Sequence, residues 1–147
     1  MRARDLVSDF PTVTLDTRTA EAARLLAEHG LPGLIVVDGE GRPCTILPGT
    51  QVLRLAVPRY CLDDPALARV VDEQHADLFM RELGDRTVRQ SLPEQPRELP
   101  IADGDATLLE LASLMARTHS PLVAVVEDGT LLGGVTLQAL VGHSLPH

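Results

Sequence analysis

Residues Ser120–Leu140 read SPLVAVVEDGTLLGGVTLQAL, and the fold follows from how this stretch is divided. Pro121 to Glu127 is apolar and rich in Val, the pattern of a strand covered on both faces. Asp128-Gly129 follows, a dipeptide that accepts the positive φ angles of a short hairpin turn. Thr130 to Thr136 is the returning strand. The chain then passes through Gly133-Gly134-Val135-Thr136 into a helix opening on Leu137-Gln138-Ala139-Leu140. At that strand-to-helix corner Thr136 either caps the helix or offers its hydroxyl to a ligand.

Upstream of the hairpin, Thr107-Leu108-Leu109-Glu110 has the form of a capping box, with Asp105 the competing cap. Leu108, Leu111, Ala112 and Met115 then recur as a helical stripe. Glu98 to Ala102 is a β-prone run, Thr87 to Leu92 a short helix, and Pro93 to Pro96 a kinked linker.

The same order of elements occurs earlier in the chain. Ala3 to Ser8 is a short amphipathic helix ended by Asp9-Phe10-Pro11, and Thr12 to Leu15 is β-prone. Asp16 or Thr17 caps a helix that runs to about His29, with Ala20, Ala23 and Leu26 or Ala27 on its buried stripe. Gly30 ends it. Gly33 to Val37 and Pro43 to Leu47 are strands around the Asp38-Gly39-Glu40-Gly41 turn, and Gly49 to Val57 is helical. Glu21, Ala23, Leu25, Pro32 and Val37 meet Glu110, Ala112, Leu114, Pro121 and Val126 at an offset of 89. After the longer first turn the offset is 88, and Pro43 to Leu53 falls on Leu131 to Val141. Each copy is strand, helix, strand, strand, helix, too small to close a core alone, so the copies are expected to pair.

Between them, Asp63-Asp64-Pro65 starts a connecting helix that Gly84 stops. Leu67, Val70, Val71, Leu78 and Phe79 give it an apolar stripe. Asp72, Glu73, His75 and Asp77 on its other face lack metal-ligand spacing and read as solvated. The expected division is residues 1–62, the first motif with its N-terminal helix; 63–84, the connecting helix; and 85–147, the second motif with a short leading helix.

Composition narrows the function. Of 147 residues, 44% are hydrophobic and 23% charged, an ordinary globular balance. The net charge of −8 opposes nucleic acid or an anionic membrane as partner, since both need a basic footprint. No apolar run is long enough to span a bilayer, and the N-terminus lacks the apolar core of a secretory signal, so a cytoplasmic protein is expected. Cys44 and Cys61 have no motif spacing and read as free thiols. Neither has a recognisable base, and Asp63-Asp64 sit at a helix cap, so no catalytic constellation is visible and no enzyme is expected. The Gly39-Glu40-Gly41 turn lies between strands and lacks the following helix a phosphate loop needs.

Each copy resembles a CBS motif, and the chain resembles a tandem pair of them, a Bateman module. The likeness rests on Leu15–Asp38 with Gly41–Leu53, and on Asp105–Gly129 with Thr130–Val141. That resemblance implies an α/β (α+β) fold: two β-α-β-β-α motifs packed about a pseudo-twofold axis, plus the connecting helix. It implies two clefts that take AMP, ADP, ATP or S-adenosylmethionine as regulatory ligand, no metal, a homodimer, and regulation of a partner protein. The adenine would sit against strand edges, and the ribose would be held by a hydroxyl residue and an Asp in a Gly-apolar-apolar-Thr-x-x-Asp segment. The candidate contacts it implies are Thr12, Leu34 and Gln51 in the first copy, and Ile101, His119, Ser120, Val123 and Thr136 in the second. Arg54 and Arg97 are phosphate candidates only by rough position.

The chain departs from that segment in both copies. Thr136 keeps the hydroxyl, but Ala139 stands at the Asp position. The first copy has Pro48 for the hydroxyl residue and Gln51 for the Asp. A carboxylate on both ribose hydroxyls contributes about 1.5–3 kcal/mol, so its absence costs roughly tenfold to a hundredfold in affinity. A ligand-sensing module and a ligand-free dimerisation or docking module are both open on this pattern.

Overall fold

The computed structural model describes residues 1–56, 66, 81, 86–92 and 98–144. The expected connecting helix, Tyr60, Cys61, Phe79, Arg97 and the Pro93–Pro96 linker lie outside the described residues, apart from Ala66 and Arg81 within the connector. The described elements are α1 (Ala3–Leu6), β1 (Thr12–Thr14), α2 (Thr19–His29), β2 (Gly33–Val37), β3 (Pro43–Pro48), α3 (Gly49–Ala56), α4 (Val88–Ser91), β4 (Ile101–Asp103), α5 (Leu108–Thr118), β5 (Leu122–Glu127), β6 (Thr130–Thr136) and α6 (Leu137–Ser144). They form two three-stranded sheets, β1-β2-β3 and β4-β5-β6.

The two ladders are copies of each other. Thr12 pairs with Ile35 and Thr14 with Val37 in parallel, as Ile101 pairs with Ala124 and Asp103 with Val126. Antiparallel Gly33–Pro48 corresponds to Leu122–Thr136. Each ladder is irregular at one point, Val36/Val37 in the first and Val125/Val126 in the second, positions again 89 apart.

The central strands β2 and β5 are apolar on both faces because both faces are covered. Leu34 and Val36 pack under the helices of the first half, and Val123 and Val125 under those of the second. Their alternate residues Ile35, Val37, Leu122 and Ala124 meet between the sheets, joined by Ile46, Phe10, Ile101 and Leu131. This middle layer belongs to neither half alone.

The leading helices cross over. α1 opens the chain yet docks on the second half: the Ala3 amide donates to the Ala106 carbonyl (2.8 Å) and that of Arg4 to Gly104 (3.0 Å). Reciprocally, the Val88 amide donates to the Thr17 carbonyl (2.8 Å) and that of Arg89 to Leu15 (2.9 Å), so α4 docks on the first half. Ala3, Leu6 and Val88 are buried in the cores they visit. Arg4 also pairs with Asp105 (2.5 Å) and with Glu127, and the Glu127 contact above all holds its guanidinium protonated.

Beyond α1 the chain runs along β6, where Ser8 and Gly134 exchange both backbone hydrogen bonds at 3.0 Å. Gly133 (φ 146°) lies under that crossing, and a Cβ there would sit 2.2 Å from the Ser8 carbonyl oxygen. One on Gly134 would meet Leu122, Phe10 and Ile35. The Gly pair is therefore required by the passage of the N-terminal segment.

Three sequence expectations need correction. The α2 stripe is incomplete: Ala20, Ala23 and Leu26 pack on the core as expected, but the fully buried residues are Thr19 and Ala22, and Ala27 is exposed. On α5, Leu111, Leu114 and Met115 are buried while Ala112 faces outward. Arg18, not Asp16 or Thr17, holds the N-cap position of α2. On both helices the buried face is set by the sheet and by the visiting leading helix, which the local apolar period does not record.

Candidate functional site

Each half has a corner where its hairpin's last strand becomes its last helix. The two are closed alike: the Gly49 amide donates to the Pro32 carbonyl and that of Leu137 to Pro121, both at 2.9 Å. What the corners present differs.

At the second corner the half-buried Thr136 ends β6 opposite Leu122. Its Oγ1 accepts the Ala139 amide at 3.1 Å, an N-cap bond to the third residue of α6. Capping uses a lone pair and leaves the hydroxyl proton free to donate. His119 lies beside the start of β5, exposed, with φ 53°. It ends α5 in the left-handed region, its amide bonded to the Met115 carbonyl. Its counterpart, Gly30, has φ 60° and a bond to Leu26. Glycine takes this conformation without cost, whereas a side chain there costs about 1 kcal/mol. Ser120 is buried and turned inward, its hydroxyl donating to the Leu122 carbonyl (2.6 Å) and accepting the Leu122 amide (3.3 Å).

At the first corner Pro48 has no hydroxyl, and Gln51 is engaged: its Nε2 donates to the Ser91 carbonyl of α4 at 3.0 Å. Ser91 is itself buried and bonded to Thr19 Oγ1 (3.0 Å). Gln51 thus ties α3 to the visiting helix.

Of the remaining candidates, Leu34 and Val123 are completely buried under the helices, so their side chains do not reach an inter-sheet cleft. Thr12 is exposed on β1 and Ile101 half-buried on β4, at matching rungs beside Ile35 and Ala124. Thr136, His119, Ser120 and Ile101 are thus gathered toward one end of the second sheet, with Thr12 and Gln51 in the first half. Arg54 is exposed on α3.

Sequence reasoning missed Phe10, which packs half-buried into the layer between the sheets. The signal was present: Asp9-Phe10-Pro11 and Glu98-Leu99-Pro100 are 89 apart, so the repeat extends upstream of each first strand. Among the described residues no group of three or more His, Cys, Asp or Glu is arranged to hold a metal ion. Cys44 is a free thiol, half-buried on β3.

Two mutually inverted strand-helix-hairpin-helix units that share an inter-sheet layer define the class of tandem CBS pairs. The CBS domain family matches residues 3–54 and 96–145, and the chain belongs to that family. Among solved structures it is similar to a CBS domain-containing protein of unknown function from Kribbella flavida, with 46% identity, 99% of each chain covered and a TM-score of 0.81. It shares the fold of the CBS domain of a membrane protein from Sphaerobacter thermophilus (24% identity, 97% of this chain and 86% of that one, TM-score 0.71). The same holds for CBSX2 solved in complex with AMP (20% identity, 97% and 95% covered, TM-score 0.67). A search of curated proteins returned no match. No helix among the described residues is long and apolar enough to cross a membrane.

Proposed function

We propose that the chain is a ligand-sensing regulatory module rather than a catalyst. It takes an adenine nucleotide or adenosyl compound (AMP, ADP, ATP or S-adenosylmethionine) at the second corner and passes the occupancy to a partner protein. The observation that carries this reading is the Thr136 corner, whose hydroxyl keeps a proton to donate while its oxygen caps α6. His119 adds weight, because it keeps an exposed side chain where its counterpart is glycine. The AMP complex of CBSX2 supports the ligand class through the shared fold. Regulation would be differential: ligand favours one arrangement of the halves and shifts the population toward it.

The module acts as a homodimer in this reading. Leu53 and Val141 hold equivalent places on α3 and α6, and both are exposed, at 53% and 41%. A second copy related by a twofold axis covers both together.

The test is a thermal-shift panel of AMP, ATP, NAD and S-adenosylmethionine at millimolar concentration. A ligand at a hundred times its Kd raises stability by about 2.7 kcal/mol. At least one is expected to raise the melting temperature of wild type. No shift with any of them favours the second reading, a ligand-free docking module. That alternative has its own support at the first corner, where Gln51 is tied to α4 and Pro48 lacks a hydroxyl.

A further inference from the structure

The second sheet has two outer edges. That of β6 is met by the N-terminal segment through Ser8. On β4, Ala124 donates to the Pro100 carbonyl (2.8 Å) and Gly104 to that of Val126 (3.1 Å). The amide and carbonyl of Ala102 therefore turn toward β5, and those of Ile101 and Asp103 turn away. The Ile101 amide is taken by the Leu99 carbonyl (2.8 Å), and the Asp103 carbonyl by the Ala106 amide (3.0 Å). Among the described residues the Ile101 carbonyl and the Asp103 amide have no hydrogen-bond partner and stay at the outer edge, spaced to serve one added strand.

A groove of about 710 Å³ runs along this edge between β4 and α5. Leu99 and Leu109 line it and are 44% and 80% exposed. Glu98, Asp103 and Glu110 also line it, and among the described residues the one cation in the lining is Arg117, whose Nη2 is already paired with Glu98 at 2.9 Å. At the equivalent places the first half has Thr14 for Asp103, Arg24 for Ser113 and Ala20 for Leu109. Glu98, Leu99 and Glu110 have counterparts in Asp9, Phe10 and Glu21, so what is particular to the second half is the exposed Leu109 and the Asp103 carboxylate.

We propose that this groove docks an extended, basic segment of a partner protein. The segment adds a strand to β4, donating an N–H to the Ile101 carbonyl and accepting the Asp103 amide. An apolar side chain rests on Leu99 and Leu109, and a Lys or Arg meets Glu110 and Asp103. The charge of the groove selects this occupant over a second copy of a chain whose own net charge is −8. The docking uses neither Thr136 nor His119, and of Ile101 it uses only the outward carbonyl, so it stands or falls apart from nucleotide binding.

The test is fluorescence anisotropy of the full chain with a labelled, terminally blocked Lys-Val-Lys-Leu-Lys-Val-Lys peptide. It is run beside its Glu-for-Lys counterpart and a version N-methylated at alternate amides. The basic peptide is expected to saturate at one per chain and the acidic one not to bind. N-methylation, or Glu110→Lys in a protein of unchanged melting temperature, should weaken binding about tenfold. Absence of saturation by the basic peptide overturns the proposal. So does equal binding of the N-methylated peptide, which leaves charge alone, or indifference to Glu110→Lys. Sedimentation should show the assembly state unchanged by peptide; if peptide or Glu110→Lys splits a dimer, the groove belongs to a second copy and the proposal falls.

Discussion

Thr107 and Thr136 do the same local work, each accepting the amide of the third helical residue at 3.1 Å. Thr107→Ala should cost about 1 kcal/mol, read as a lower urea midpoint at unchanged slope. His119→Gly should raise stability by up to about 1 kcal/mol, since it removes a side chain from left-handed backbone. Asp38 carries a pH signature. Its Oδ1 accepts the amides of Glu40 (2.8 Å) and Arg42 (3.0 Å). The Arg42 amide first, then that of Glu40, holds its carboxyl below the ordinary range. A depressed folded pKa gives stability that is full above the unfolded value, about 3.9, and is lost as pH falls through the folded one. Asp38→Ala should therefore melt below wild type at neutral pH, and the gap should close at strongly acid pH; an equal gap at both contradicts this. Residue-level features of local origin were legible in the sequence. The Thr-x-x-Glu spacing marked Thr107, Gly30 was read as a cap, and Asp128-Gly129 as a turn with positive φ at both residues. The outward turn of Ala112 was not, because its buried neighbours are chosen by the sheet beneath.

At the scale of elements, the leading helices are the part the sequence hid. α1 and α4 read as short helices heading their own halves, and nothing local says that each completes the other one. The cost of disturbing this exchange should appear in the distant half. Leu6→Ala should cost about 2–5 kcal/mol and speed hydrogen exchange at Val123, Val125 and Val135, with which Leu6 shares a core cluster. Faster exchange confined to the first sheet would contradict the crossover. Gly133→Ala should be worse tolerated than a change at exposed Gly39, where an added Cβ meets nothing, because the Ser8 strap must move or detach. The crossover also explains why Gln51 is unavailable at the first corner. Its amide holds α4 by way of Ser91, a contact between residues 40 apart in the chain that no spacing rule reports.

For the whole molecule, the duplication was legible because it leaves matched residues at a fixed offset, and the paired ladders reproduce that offset rung by rung. At the corners only identity and local capping were legible: Thr136 was read as a cap of the helix it precedes, whereas the burial of Leu34 and Val123 is set by which sheet face each strand gives to its helices. The proposed dimer predicts a sedimenting species of twice the chain mass, reduced to a single chain by Leu53→Glu with Val141→Glu; a wild-type monomer at tens of micromolar contradicts it. Calorimetric titration of AMP into wild type, Thr136→Ala and Ala139→Asp tests the functional claim most directly. The account predicts saturable binding to wild type, weakened by Thr136→Ala and tightened roughly tenfold or more by the restored carboxylate of Ala139→Asp. Absence of binding in all three, or affinity indifferent to both substitutions, would contradict it.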